Sequence, residues 1–197
     1  MAAFVRIGWP LSIGIAGRLP SESVAALPRI PHASIETDVL GLVLHYATGQ
    51  SMCGYLQEKV WQPIGTEADA KWLIDAEGRE VAHGFFNAVL RDYARLARLL
   101  AHDGAWEGKQ IIPAQWVIDA TTVLASETYL AKAEGGFGYG YQVYLFPGSR
   151  RQFALLGHLG QRILVDPPSK LVMVQTAVDE KSPEIWRLWS AVVAQFG

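Results

Sequence analysis

The feature that most constrains this chain lies near its end. Four short segments, "YGYQVYLF" (139–146), "FALLGHL" (153–159), "QRILVDP" (161–167) and "KLVMVQTA" (170–177), follow one another with turn-forming residues between them. Their β-branched and aromatic content reads as an antiparallel meander, with "DPPSK" as the turn between the last two. "SPEIWRLWSAVVAQFG" then closes the chain as a helix. Ser182 suits the N-cap, Pro183 the first helical position, and Glu184 the positive end of the helix dipole. Ile185, Leu188, Trp189, Val192, Val193 and Phe196 fall on one side at helical spacing. That stripe predicts a helix lying across one face of the meander.

Helices dominate the chain before residue 125. "ETDVLGLVLHYATG" reads as a helix from Glu36 to Thr48, with Gly49 as its stop. Ser51 then caps a short helix that Pro63 and Gly65 end. "KWLIDAEGREVAHGFF" reads as two short strands around an Asp-Ala-Glu-Gly turn. "VLRDYARLARLLAHDG" is a second strong helix with Leu90, Tyr93, Ala94, Ala97 and Leu100 inward. Its Arg91, Arg95 and Arg98 share another face, which reads as solvated surface in preference to an anion site. A further helix follows Pro113. Helices, then antiparallel strands, then a closing helix make an α+β fold. In front of the first helix, "PHAS" reads as extended, which puts His32 and Ser34 on the same side of the chain.

Composition narrows the functional classes. Half of the 197 residues are hydrophobic, and the formal net charge is −2. Seven Trp, seven Tyr and seven Phe make this a globular chain with a real core. Lys and Arg are scattered, so there is no basic footprint for nucleic acid. Cys53 is the only cysteine, which removes disulfide frameworks and cysteine metal clusters. The five histidines form no HxxxH pair, so neither a metal nor another cofactor is expected. No apolar run reaches the roughly 18 residues of a membrane span. Residues 1–30 are atypical: "MAAFVRIGWPLSIGIAGRL" is a poor match to a signal peptide, and "PSESVAALPRIP" reads as linker. The expectation is a fold over 31–197 with a piece missing upstream, in the cytoplasm rather than the periplasm.

Several strings resemble one family in that family's order. "SIETDVLGLVL…ATGQS…YLQEKVWQPIG", "FNAVLRDYARLARLLAHDGAWEGKQIIPAQWV" and "GHLGQRILVDPPSKLVMVQTA" resemble the serine β-lactamase and penicillin-binding-protein-like hydrolases. The similarity is greatest to their esterase and 6-aminohexanoate-dimer hydrolase branch. It covers about Pro31 to Ala177 and implies a β-lactamase-like (DD-peptidase-like) α+β fold, here incomplete and limited to the C-terminal part. It also implies hydrolysis of an ester or amide in a small molecule through an acyl-enzyme, with no cofactor.

The resemblance further implies three motifs. The first, Ser-x-x-Lys, pairs a nucleophile with a base, because a serine hydroxyl is weak until its proton is taken. None of the serines here has Lys three residues later. The second, Tyr-x-Asn or Tyr-x-Ser, maps onto His32-Ala33-Ser34: Ser34 matches, and His32 replaces the tyrosine that shuttles protons. An imidazole with a pKa near 6.5 titrates in the right range for that task but has a different shape. The third, Lys-Thr-Gly on a strand, maps onto His158-Leu159-Gly160 followed by Gln161. Gly160 would admit the substrate backbone, and the Gln161 N–H would be one oxyanion donor.

Three readings follow. One is a serine hydrolase present as a C-terminal portion and inactive alone without its nucleophile. The alternative is a non-catalytic binding module, a degraded copy that keeps the substrate cleft. A cysteine hydrolase built on Cys53 is the weakest, since a free cysteine is commonly a small buried apolar residue. A chain lacking part of its fold would expose strand edges and an apolar helix face, so self-association is expected.

Overall fold

The computed structural model describes residues 4–8, 29–122, 137–179 and 184–197, with backbone alone at 4–8 and 29–33. The expected caps Ser182 and Pro183 lie outside the described residues. The chain divides into two compact units, one of residues 59–68 and 89–197, the other of residues 2–58 and 69–88.

The larger unit is built on a five-stranded antiparallel sheet. Its strands are β6 (Gly138–Gly140), β7 (Val143–Leu145), β8 (Phe153–Gly157), β9 (Gln161–Asp166) and β10 (Leu171–Gln175). They lie in sequence order across the sheet, so the meander read from the sequence is present. β10 forms one edge of this sheet. Side chains alternate between its faces, as the strand period of two demands. Phe153, Ile163, Val165, Val172 and Val174 pack with Ala97 and Ala101 of α3 (Leu90–Ala101). Ala154, Leu164, Leu171 and Met173 pack with Ile185 and Trp189 of α5 (Glu184–Phe196). The sheet is therefore covered by a helix on each face, and the small side chains of Ala97 and Ala101 let α3 approach it closely. Hairpin β4–β5 (Ala105–Trp106, Lys109–Gln110) and helix α4 (Ala114–Ala120) complete this unit.

Two helix faces differ from expectation. On α5, Leu188 and Phe196 are exposed, while Trp186 turns in beside Phe137 and Phe146. The aromatic cluster rotates the buried stripe onto Ile185, Trp186, Trp189 and Val193. On α3, Leu90 is exposed and Asp92 is fully buried. The Asp92 carboxylate accepts from the backbone N–H groups of Glu67 and Ala68 at 3.0 and 3.1 Å and from Arg95 at 2.6 Å. A charge goes inside only where it is paired and hydrogen-bonded, and this one is both.

The smaller unit holds helix α1 (Arg29–Thr48), helix α2 (Met52–Leu56) and a three-stranded sheet ordered β1 (Phe4–Gly8), β2 (Ala70–Ile74), β3 (Phe86–Asn87). Residues 4–8 pair in parallel with 70–74, although the sequence reading left the first 30 residues outside the fold. "FVRIG" carries β-branched residues at alternating positions, which suits it to a ladder. Gly49 ends α1 at φ +69°, its N–H on the His45 carbonyl at 2.8 Å. The Ser51 hydroxyl caps α2 by accepting from the Gly54 N–H. The Asp-Ala-Glu-Gly turn is present, with the Asp75 N–H on the Arg79 carbonyl and an isolated bridge from Ile74 to Glu80.

Candidate functional site

α1 begins at Arg29, seven residues before the expected start, so His32-Ala33-Ser34 is helical and not extended. In a helix, residues two apart point about 200° away from each other. The helical backbone corrects the reading of this segment as a strand-like pair. Ser34 is half-buried in the smaller unit. The His32 side chain lies outside the described residues.

The third-motif residues lie together in the larger unit, on a turn rather than a strand. Gly157 and Gln161 face each other across the β8–β9 ladder, and His158-Leu159-Gly160 close the loop between them. Leu159 and Gly160 both take positive φ, +57° and +82°. A Cβ on Gly160 would stand 2.5 Å from the Asp179 carbonyl oxygen, so only glycine fits there. His158 and Leu159 are exposed, and Gly160 is buried.

Side-chain amides pin this turn. Gln175 donates to the Gly160 carbonyl at 2.9 Å. The Gln161 amide donates to the Ala177 carbonyl and accepts from the Ala177 N–H at 3.2 Å, so it mimics one rung of a ladder. Sequence reasoning assigned a role to the Gln161 N–H and missed its side chain. It also missed Gln175 and Ala177, which the strand pattern alone does not mark.

A second turn shares this end of the sheet. In an up-and-down meander alternate turns fall on the same end, so the β6–β7 turn lies at the end that carries His158-Leu159-Gly160. Its central residues, Tyr141 and Gln142, both have positive φ without being glycine. Tyr139 donates its phenol to the Gln142 side-chain oxygen at 2.6 Å. Tyr141 and Trp116 of α4 are exposed and meet edge to face, 6.5 Å between ring centres.

The arginines of α3 border a groove of about 680 Å³ with His102, Trp106, Lys170 and Val172. Arg95 serves Asp92 and Glu67, Arg91 lies 3.9 Å from Glu67, and the Arg98 guanidinium stacks over Trp106 at 4.6 Å. Arg91 and Arg98 are exposed, as the solvated-surface reading expects, whereas Arg95 is partly shielded by its partners. Burial and the nearby charges of Lys170 and Arg98 lower the His102 pKa, against a smaller opposing pull from Asp103. Among the described residues, no group of three or more His, Cys, Asp or Glu side chains could hold a metal ion. No described helix is long and apolar enough to cross a membrane.

Comparison with known proteins agrees with this architecture. Residues 29–195 match the family model described as Beta-lactamase. The chain is 26% identical over 151 residues to the 6-aminohexanoate-dimer hydrolase of Paenarthrobacter ureafaciens, covering 73% of this chain and 38% of that protein. A solved Bacillus anthracis structure, provisionally designated a 6-aminohexanoate-dimer hydrolase, superposes with a TM-score of 0.68 at 31% identity, over 79% of this chain and 40% of the other. A Bacteroides dorei structure, provisionally designated a β-lactamase, shares the fold at a TM-score of 0.51 and 17% identity, over 79% of this chain and 55% of its own. The chain thus spans about two fifths of the length of the two 6-aminohexanoate-dimer hydrolase relatives. With a family model matching most of its residues, and with the antiparallel sheet and flanking helices that such a match requires, this chain belongs to the β-lactamase family of hydrolases.

Proposed function

We propose that this chain carries the second-motif helix and the third-motif turn of a serine hydrolase that cleaves an ester or amide bond in a small molecule through an acyl-enzyme. We propose also that these 197 residues do not form the acyl-enzyme by themselves. The observation that carries the reading is the β8–β9 turn. Gly160 is held at φ +82° against the segment after β10; Gln175 binds its carbonyl, and the Gln161 amide ties the turn to Ala177. Preorganised backbone donors are what an oxyanion needs, because their orientation is set before charge develops. In this reading the Gln161 N–H is one such donor, Gly160 shapes the turn that presents it, with its Cβ space taken by the Asp179 carbonyl, and His158 borders the cleft. Ser34 positions the substrate from α1, and His32 stands in for the proton-shuttling tyrosine.

The nucleophile of that chemistry is not among these residues, since no serine is followed by Lys at the third position. Acylation then needs a serine and base from outside the 197 residues. The test is a serine-reactive fluorophosphonate probe on the purified chain, read by intact mass and peptide mapping, beside turnover of p-nitrophenyl esters and a chromogenic β-lactam. No labelling and no turnover above a denatured control are expected. Stoichiometric labelling of Ser34, abolished in His32→Ala, would overturn the inactive reading and make those two residues a catalytic unit.

A further inference from the structure

The Gly160 carbonyl and the Gln161 N–H belong to one peptide unit, and that unit is trans. A trans peptide is planar, with its carbonyl and its N–H pointing in opposite directions. Whatever fixes one end therefore fixes the other. Here the carbonyl end is held by a side chain: Gln175, the last residue of β10, donates its amide to the Gly160 oxygen at 2.9 Å. Gln175 stands opposite Arg162 in the ladder, so its side chain reaches two residues along β9 to the turn.

Glycine makes this peptide unit easy to turn over. The Asp179 carbonyl excludes a Cβ at residue 160, and the glycine that fits there has the freest backbone of any residue. Inverting the plane between Gly160 and Gln161 needs only compensating changes in ψ of the first and φ of the second. Such a flip puts the carbonyl oxygen where the N–H was, and an oxyanion would then meet a lone pair. We infer that Gln175 is a positioning residue for the oxyanion donor: by holding the Gly160 carbonyl it keeps the peptide from inverting and the Gln161 N–H aimed into the cleft. The inference rests on the reading of that N–H as an oxyanion donor.

Two observations set this bond apart from the ordinary pairing of a buried carbonyl. First, the same short stretch grips the turn on both sides of the peptide. The Asp179 carbonyl lies against the Gly160 Cα, and Ala177 engages the Gln161 side chain with both its N–H and its carbonyl. Those contacts hold the flanking atoms and leave the plane between them able to rotate. The Gln175 bond acts on the peptide group itself. Second, a carbonyl that accepts a hydrogen bond polarises its own peptide unit, which strengthens the N–H at the other end by about 10–30%. The one amide thus orients the donor and sharpens it.

NMR of the folded chain tests it with two readouts. The residual dipolar coupling of the Gln161 N–H reports the direction of that bond. Phenylphosphonate, a tetrahedral oxyanion, probes its role as a donor. In the native chain the coupling should match the structure, and the probe should move the Gln161 amide resonance to saturation. Gln175→Glu keeps the shape but has no donor while ionised, and Gln175→Met keeps the length without one. In either variant the Gln161 coupling should change while those of Leu164 and Val165 stay. Affinity for the probe should fall about tenfold, the worth of one charge-assisted hydrogen bond. Having two variants keeps the test decisive if one folds poorly. A merely structural role would lower the melting temperature and leave the Gln161 coupling and the probe affinity unchanged. That result overturns the inference and leaves the oxyanion reading standing. A probe that fails to move the Gln161 resonance in the native chain overturns the oxyanion reading itself, and the inference with it.

Discussion

Asp166 is the residue whose surroundings say most about stability. It is fully buried at the end of β9, where Arg150 grips it with two hydrogen bonds of 2.7 Å and Gln152 and Ser169 also donate. Burial alone would raise its pKa, but the bonds from Arg150, Ser169 and Gln152 outweigh that and hold it far below the ordinary carboxylate range. The sign of the pH effect follows. A depressed folded pKa gives stability that is complete above the unfolded value of about 3.9 and is lost as pH falls below it. Asp166→Asn should cost about 2–4 kcal/mol at neutral pH in urea melts and flatten the acid limb of the stability profile. His102 acts with the same sign in a higher pH window. Its pKa is lowered, so the unfolded chain binds more protons near pH 6 and stability rises with pH through that window. Proton NMR should find His102 titrating below the ordinary value, and Lys170→Met should move it upward. Neither residue stood out in the sequence. "VDP" reads as a strand end and a turn, and the partner Arg150 lies in a loop that no periodicity marks.

At the scale of elements, strand content was legible and helix rotation was less so. The β8, β9 and β10 segments are short β-rich runs with turn residues between them, so their meander could be read directly. The faces of α3 and α5 depend on what lies opposite them: α3 keeps Tyr93, Ala97 and Leu100 inward as expected and exposes only Leu90, whereas the stripe of α5 is turned. The cost of truncation should follow the observed faces. Trp189→Ala should destabilise by about 3–5 kcal/mol, whereas Leu188→Ala, on the exposed side of the same helix, should stay within about 0.5 kcal/mol in thermal or chemical melts. The β8–β9 turn gives a sharper contrast. Gly160→Ala places a methyl against the Asp179 carbonyl at a backbone conformation that L residues rarely adopt, and should cost more than 1 kcal/mol. His158→Ala, exposed on the same turn, should leave the melting temperature almost unchanged. The sequence reading placed His158-Leu159-Gly160 on a strand; that it forms a three-residue loop was not legible, because φ at Leu159 is set by the hairpin register and not by leucine.

For the whole molecule, fold class and family were legible because five strings occur in a fixed order over most of the chain, and order survives substitutions that blur any single motif. The extended reading of His32 and Ser34 failed for a physical reason. Proline is accommodated in the first turn of a helix, where its missing N–H has no partner to lose, so Pro31 does not prevent α1 from starting earlier. One feature of the larger unit has a kinetic corollary. β10 is hydrogen-bonded to β9 along one side, and no described strand pairs with its other side. Along such a rim, alternate peptide groups point inward to a neighbour and outward to solvent. In deuterated buffer, therefore, the Leu171–Gln175 segment should not behave uniformly: every second amide should exchange within seconds to minutes, while those between should wait for the sheet to open. β9, flanked on both sides, should show slow exchange throughout. Residue-resolved exchange that found β10 as uniformly protected as β9 would mean that something occupies that rim in solution.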